Sequence, residues 1–190
     1  MKIMEDRYDY ILAAAKQLFL RYGVKRTGMN DIAREAGISR QTLYKAFANK
    51  DEVLRATIRS LADRVVLDIE AGLKKADGLG AQLDVVFKHA VIEHYDFLQS
   101  SPNAEDIIAG VTSTSQKELE AGAKRNTEII ARVLEPYSSA IENCDLTVDQ
   151  YADFIQRSST AAKYSAMNKK HLIELLSALR MSALKVTSSA

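Results

Sequence analysis

Apolar side chains recur three and four positions apart along nearly the whole chain, and no segment alternates with the period of two expected of a half-buried strand. The pattern predicts an all-α protein. A first helix is expected over Glu5 to Tyr22, with Ile11, Leu12, Ala15, Leu18, Phe19 and Tyr22 as its apolar stripe and Gly23 as a left-handed stop. A second starts near Thr27, whose hydroxyl would cap it, turns Ile32, Ala33 and Ala36 inward and ends at Gly37. Ser39 is placed to cap a third, Arg40 to Phe47.

The fourth helix begins at Asn49 or Lys50 and carries Leu54, Ile58, Leu61, Val65 and Ile69 on one face as far as Asp77-Gly78. A fifth, Gly80 to Ser100, aligns Leu83, Phe87, Val91, His94 and Leu98. Ser101-Pro102 reads as cap and first turn of a short sixth helix that stops near Gly110. Ser115-Gln116-Lys117-Glu118 fits a capping box for a seventh, ended or kinked by Pro136. Thr147-Val148-Asp149-Gln150 fits another, opening the eighth helix to about Met167, and a ninth runs from Asn168 to Val186. Nine helices are expected in all.

The stretch Thr27 to Lys50 carries the chemistry. Two short helices joined at a glycine make a helix-turn-helix, in which Gly37 supplies the turn and the small Ala33 and Ala36 let the helices cross closely. Ile32, Ile38, Leu43 and Phe47 would pin the pair to the first helix. That leaves Ser39, Arg40, Gln41, Thr42, Tyr44 and Lys45 outward, a set of donors without a carboxylate. Arginine can take guanine O6 and N7, glutamine can take adenine N6 and N7, and Thr or Tyr can meet a thymine methyl or a phosphate. Lys50 and the start of the fourth helix could hold one phosphate, and Thr27 another.

Charge sharpens this picture only once it is divided. The chain has 190 residues, 26 basic against 25 acidic, but residues 1–55 carry 11 basic and 7 acidic side chains. The N-terminal part is therefore the polyanion-facing one. One cysteine, Cys144, permits no internal disulfide, and no run of eighteen apolar residues would span a membrane. A cytoplasmic protein is expected. Three scattered histidines make no metal site, and neither a phosphate loop nor a nucleophile elbow is present, so no cofactor and no enzymatic role are expected.

Residues 11–54 resemble the DNA-binding domain of the tetracycline-repressor (TetR-type) family of bacterial transcription regulators. The resemblance rests on Ile11-Leu12-Ala13-Ala14-Ala15, Leu18-Phe19, Tyr22-Gly23, Thr27, Asp31-Ile32-Ala33, Ala36-Gly37-Ile38-Ser39, Thr42-Leu43-Tyr44, Phe47, Lys50 and Leu54. Gly28 departs from the usual Ser or Thr, Gln41 from a small residue, Lys45-Ala46 from an aromatic or histidine pair, and Ala48 from a common proline. The resemblance implies an N-terminal DNA-binding domain, residues 1–48, and a helical effector-binding and dimerisation domain, residues 49–190. It implies a homodimer on a near-palindromic double-stranded operator, closed through the eighth and ninth helices.

The expected dimer surface is Ser158 and Ala162, small enough to admit another helix, with Leu172, Leu175, Leu176, Leu179 and Ala183. A small apolar or aromatic effector is expected against Phe87, Val91, His94, Tyr95, Tyr151 and Phe154. The function implied is a repressor released from its operator by that effector. An adaptor that binds another protein on the same fold with little DNA reading, or a ligand-dependent activator, stays open.

Overall fold

The computed structural model describes the backbone of residues 2–100 and 113–188 and the side chains of residues 8–100 and 115–188. Among the described residues all regular structure is helical. In chain order it comprises α1 (Lys2–Tyr22), α2 (Met29–Glu35), α3 (Arg40–Ala46), α4 (Lys50–Leu73), α5 (Gly78–Phe87), a π turn (Lys88–Ile92), α6 (Glu93–Ser100), α7 (Ser113–Leu134), a 3₁₀ turn (Glu135–Tyr137), α8 (Ser138–Glu142), α9 (Val148–Ser165) and α10 (Lys169–Thr187). The π turn joins α5 to α6 and the 3₁₀ turn joins α7 to α8 without a break, which makes eight helical runs among the described residues. The predicted sixth helix, Ser101 to Gly110, lies outside them. These residues group into two compact units, one within 1–63 and 98–121, the other within 64–97 and 122–190.

The first unit is built on one apolar cluster. Ile11, Leu12, Ala15, Leu18 and Phe19 of α1 meet Ile32 and Ala33 of α2, Leu43 of α3, Phe47, and Val53 and Leu54 of α4. Tyr22 is a correction: it is exposed, with the Arg21 guanidinium 5.3 Å from its ring centroid. Gly23 and Gly37 both take a positive φ, and the Gly37 N–H and Ile38 N–H bond to Arg34 O and Ala33 O to close α2. The tight turn between α2 and α3 follows from that backbone freedom. Lys50, at the start of α4, donates from Nζ to Val24 O at 2.8 Å and so ties α4 to the turn after α1.

The second unit buries Leu79, Leu83, Val86 and Phe87 of α5, Val91, Tyr95 of α6, Ile129, Ile130, Val133 and Leu134 of α7, Ile155 of α9 and Leu172 and Leu176 of α10. Its caps follow the sequence. Thr147 Oγ1 accepts from Gln150 N–H at 3.2 Å while Gln150 Oε1 accepts from Thr147 N–H at 2.9 Å, and Asn168 Oδ1 accepts from His171 N–H at 2.9 Å. Pro136 sits in the 3₁₀ turn that ends α7, as expected, and α8 follows it as an added short helix. The Ser115 box is a correction: α7 already includes Ser113, so Ser115 lies inside the helix, fully buried. Gly80 leaves room for Arg180, whose Nε donates to Gly80 O at 3.1 Å; a Cβ there would come within 2.5 Å of Nη2 and the guanidinium would have to shift.

The π turn changes a register that a straight helix would have kept. Glu93 N–H bonds Lys88 O five residues back, and the wider turn makes Tyr95 the fully buried residue of α6, with His94 beside it at the edge of the core. Leu43, with no exposed surface, is the residue that joins α3 to the rest of its unit. Leu43→Ala is expected to cost about 2–5 kcal/mol in urea unfolding followed by circular dichroism.

Candidate functional site

The core contacts of α3 decide which of its side chains are available. With Leu43 fully buried and Phe47 almost so, Arg40, Gln41, Tyr44 and Lys45 are all exposed. Ser39 is occupied: its Oγ accepts from Thr42 N–H at 3.1 Å to cap α3 and shares a 2.8 Å hydrogen bond with Thr42 Oγ1. Arg40 Nε donates to Asn30 Oδ1 of α2, which leaves its terminal nitrogens for a ligand. Asn30 is itself exposed, a participant the sequence reading missed because it lies one helix away from the residue it orients.

Thr27 and Lys50 differ from expectation. Gly28, not Thr27, is the N-cap of α2, and Asp31 supplies the cap by accepting the Gly28 N–H at 3.0 Å. Thr27 is only 3% exposed, and its hydroxyl donates to Gly23 O at 2.8 Å, so it has no proton left for a phosphate. The chain needs that bond to cover a carbonyl at the end of α1, a demand stronger than the optional cap. Lys50 is half-buried with Val24 O and Lys25 O as partners, at 2.8 and 3.4 Å. Its neighbours at the start of α4 are Asp51 and Glu52, which oppose an anion there.

Residues 11–57 match the family model described as bacterial regulatory proteins, tetR family. That segment belongs to the family. Among curated relatives, the HTH-type transcriptional activator FasR of Mycolicibacterium smegmatis is 26% identical over 124 residues, covering 65% of this chain and 55% of that one. The HTH-type nicotine-responsive transcriptional repressor HdnoR of Paenarthrobacter nicotinovorans is 26% identical over 143 residues, 66% of this chain and 74% of its own. The match to FasR thus spans about half of that relative's length. A crystal structure of a transcriptional regulator from Cytophaga hutchinsonii superposes with a TM-score of 0.70 at 19% identity, covering 95% of this chain and 96% of the other, which shows the shared fold.

The residues that the family resemblance assigned to an effector divide into two groups. Phe87, Val91, Tyr95 and Tyr151 are buried in the core of the second unit. Phe154 faces outward, 53% exposed, and stacks on Tyr151 with ring centroids 6.1 Å apart. The Tyr151 hydroxyl is buried with no hydrogen-bond partner, and burial pushes its pKa up. A surface groove of about 400 Å³ in this unit is lined instead by Asp84, Phe87, Ile92, Ile173, Leu176 and Arg180, among others.

The residues assigned to the family's dimer surface also divide. Leu172, Leu176 and Ala183 are corrections: they are fully or almost fully buried in the core of their own unit, and a side chain spent there offers no surface to a second chain. Ala162 and Leu179 are half-buried against the same core, while Ser158 and Leu175 are half-buried. The large apolar side chains left outward on these helices are Phe154 and Tyr164 of α9 and Ile173 and Met181 of α10.

One pairing escaped the sequence altogether. His94 of α6 and Lys163 of α9, 69 positions apart, meet with Nδ1 and Nζ at 3.2 Å. Burial, then the charge of Lys163, lowers the His94 pKa to about 4, and burial lowers that of Lys163 to about 8. The neutral imidazole therefore accepts and the lysine donates. The unfolded chain takes up the His94 proton near its ordinary value of 6.5, which the folded chain does only near 4. Stability is thus expected to fall as pH drops from 6.5 to 4, by on the order of 3 kcal/mol from this group. Comparing the pH dependence of urea unfolding in wild type and His94→Gln isolates it, and the variant should lose less stability over that window.

Proposed function

We propose that this chain is a sequence-specific DNA-binding transcription regulator, a homodimeric repressor released from a near-palindromic operator by a small effector. Residues 1–48 are the reading head, and residues 49–190 hold the effector and the partner subunit. The observation that carries this reading is the outer face of α3. Arg40, Gln41, Tyr44 and Lys45 stand together in solvent, without a carboxylate, on a helix whose rotation is set by buried Leu43. Such a face supplies donors for base edges and phosphates and nothing that repels them.

Other features support the remaining parts. One helix-turn-helix reaches too few bases for tight binding, which favours a dimer spanning two half-sites. Phe154, Tyr164, Ile173 and Met181 give α9 and α10 an outward apolar surface that a second copy would cover. Control by a small molecule is the property printed in the name of the nicotine-responsive relative. The activator among the relatives keeps the sign of regulation a matter for experiment. The adaptor reading draws on Thr27 and Lys50, whose donated bonds go to backbone carbonyls of their own unit. A cytoplasmic location fits this role, and no described helix is long and apolar enough to cross a membrane.

The test begins with selection of an operator from randomised duplexes, followed by fluorescence anisotropy. Arg40→Ala and Tyr44→Ala are each expected to weaken specific binding by roughly five- to a hundredfold and to relax preference at separate positions. Lys45→Ala is expected to weaken all duplexes alike and to lower the log–log salt slope by about 1. A wild-type protein that selects no sequence would establish the adaptor instead.

A further inference from the structure

Lys163 is the only charged side chain among the described residues that falls in the buried class, at 9% exposure. No carboxylate among the described residues meets it. On α6, Asp96 is taken by Lys169 Nζ at 2.7 Å and Glu93 by His89 Nδ1 at 3.0 Å. Lys163 is left with the His94 ring and, 4.9 Å from Nζ, the face of Tyr164. Neither is an anion. A buried ammonium without a counter-ion costs several kcal/mol, and a fold that gained nothing from it would do better with methionine or leucine. Violations of this kind concentrate where function requires them.

The surroundings narrow the chemistry. The inward stripe of α9 runs Tyr151, Ile155, Ser159, Lys163, and its first member keeps a buried hydroxyl without a hydrogen-bond partner. On α6, His94 is flanked by Tyr95, buried in the core of this unit, and by Phe97, whose ring lies edge-on to His94 at 6.4 Å. The cation thus sits at the end of an apolar, aromatic lining. The π turn runs directly into α6, and single turns of this kind are frequent at functional sites.

We propose that Lys163, with His94 holding it, is the anchor for an anionic effector: a molecule with a carboxylate on an apolar body, which enters between α6 and α9 and supplies the counter-ion that the fold lacks. This rests on the reading of the chain as an effector-controlled regulator and names the class of effector. Ion pairing makes the ammonium the stable form, Lys163 releases His94, and the apolar body of the ligand displaces side chains of α6. The site selects against neutral molecules of the same shape, because they leave the buried charge unmet.

The test measures binding to the full-length protein at pH 7 by calorimetry and thermal shift, without DNA. The probes are octanoate and phenylacetate, their neutral counterparts octanamide and phenylacetamide, and sodium phosphate and chloride. At least one carboxylate is expected to bind wild type roughly tenfold or more tightly than its amide, as a hydrogen bond to a charged group requires. Lys163→Met is expected to melt no lower than wild type and to lose that preference. The proposal is overturned if neither carboxylate outbinds its amide, if Lys163→Met keeps the preference, or if phosphate or chloride gives the same Lys163-dependent shift.

Should Lys163→Met not fold, wild type answers alone. In NMR of reductively methylated lysines, with the Lys163 signal assigned by Lys163→Arg, the titration midpoint must rise when the carboxylate is added. An unmoved midpoint overturns the proposal. Because no operator enters these measurements, the site can fail while another compound still releases DNA. Equally, carboxylates can bind at Lys163 and leave operator binding unchanged, in which case effector control fails and the site stands.

Discussion

The burial of Leu43 between α1 and α2 is the constraint on which the N-terminal unit depends. A seven-residue helix has little stability of its own, because nucleation consumes most of what its few hydrogen bonds return. α3 exists because one leucine and the phenylalanine that follows the helix are held in a core that α1, α2 and α4 already form. The same contact fixes rotation about the helix axis. At 100° per residue, placing position 43 inward turns 41 and 45 to the opposite side and 44 to the flank, while Arg40, one turn back, reaches solvent from the edge of the buried face. On the proposed reading, packing and recognition are therefore one decision, taken by a side chain of the core.

How far the sequence revealed this depends on how local each determinant is. The predicted eighth helix, α9, began where its capping box said, because a cap is settled within four residues, Thr147 with Gln150. Thr27 misled for the opposite reason. A hydroxyl has one proton, and whether it goes to a cap, a ligand or a carbonyl four residues back depends on which is left uncovered in the folded chain. On α10 the apolar residues were found correctly but not their direction. Leu172 and Leu176 turn to the core while Ile173 and Met181 turn out, and the sequence of one helix cannot say which edge meets its own body. The meeting of His94 with Lys163 was beyond reach, since neither residue's neighbours in sequence mention the other.

The two units solve the problem of buried polar groups differently. In the first, Thr27, Lys50 and Asp31 all close onto backbone atoms that would otherwise be unpaired, and the result is a settled scaffold around a solvent-facing surface. In the second, Tyr151 keeps a hydroxyl without a partner and Lys163 keeps a charge without an anion. Satisfied interiors hold one arrangement, whereas unsatisfied ones leave a free-energy difference that another molecule can collect. The contrast supports the proposed division between a reading head that keeps its shape and a body that answers an effector.

The contact from Arg40 to Asn30 joins the reading helix to the helix before it. A guanidinium held by its Nε has fewer orientations to give up when it meets a base, and its fork is aimed by a residue ten positions upstream. On the proposed reading, the unit that carries a recognition preference is then larger than α3. Transplanting residues 40–46 alone into a related scaffold would move the letters of the code without the hand that holds one of them, and a graft meant to transfer the preference has to bring position 30 as well.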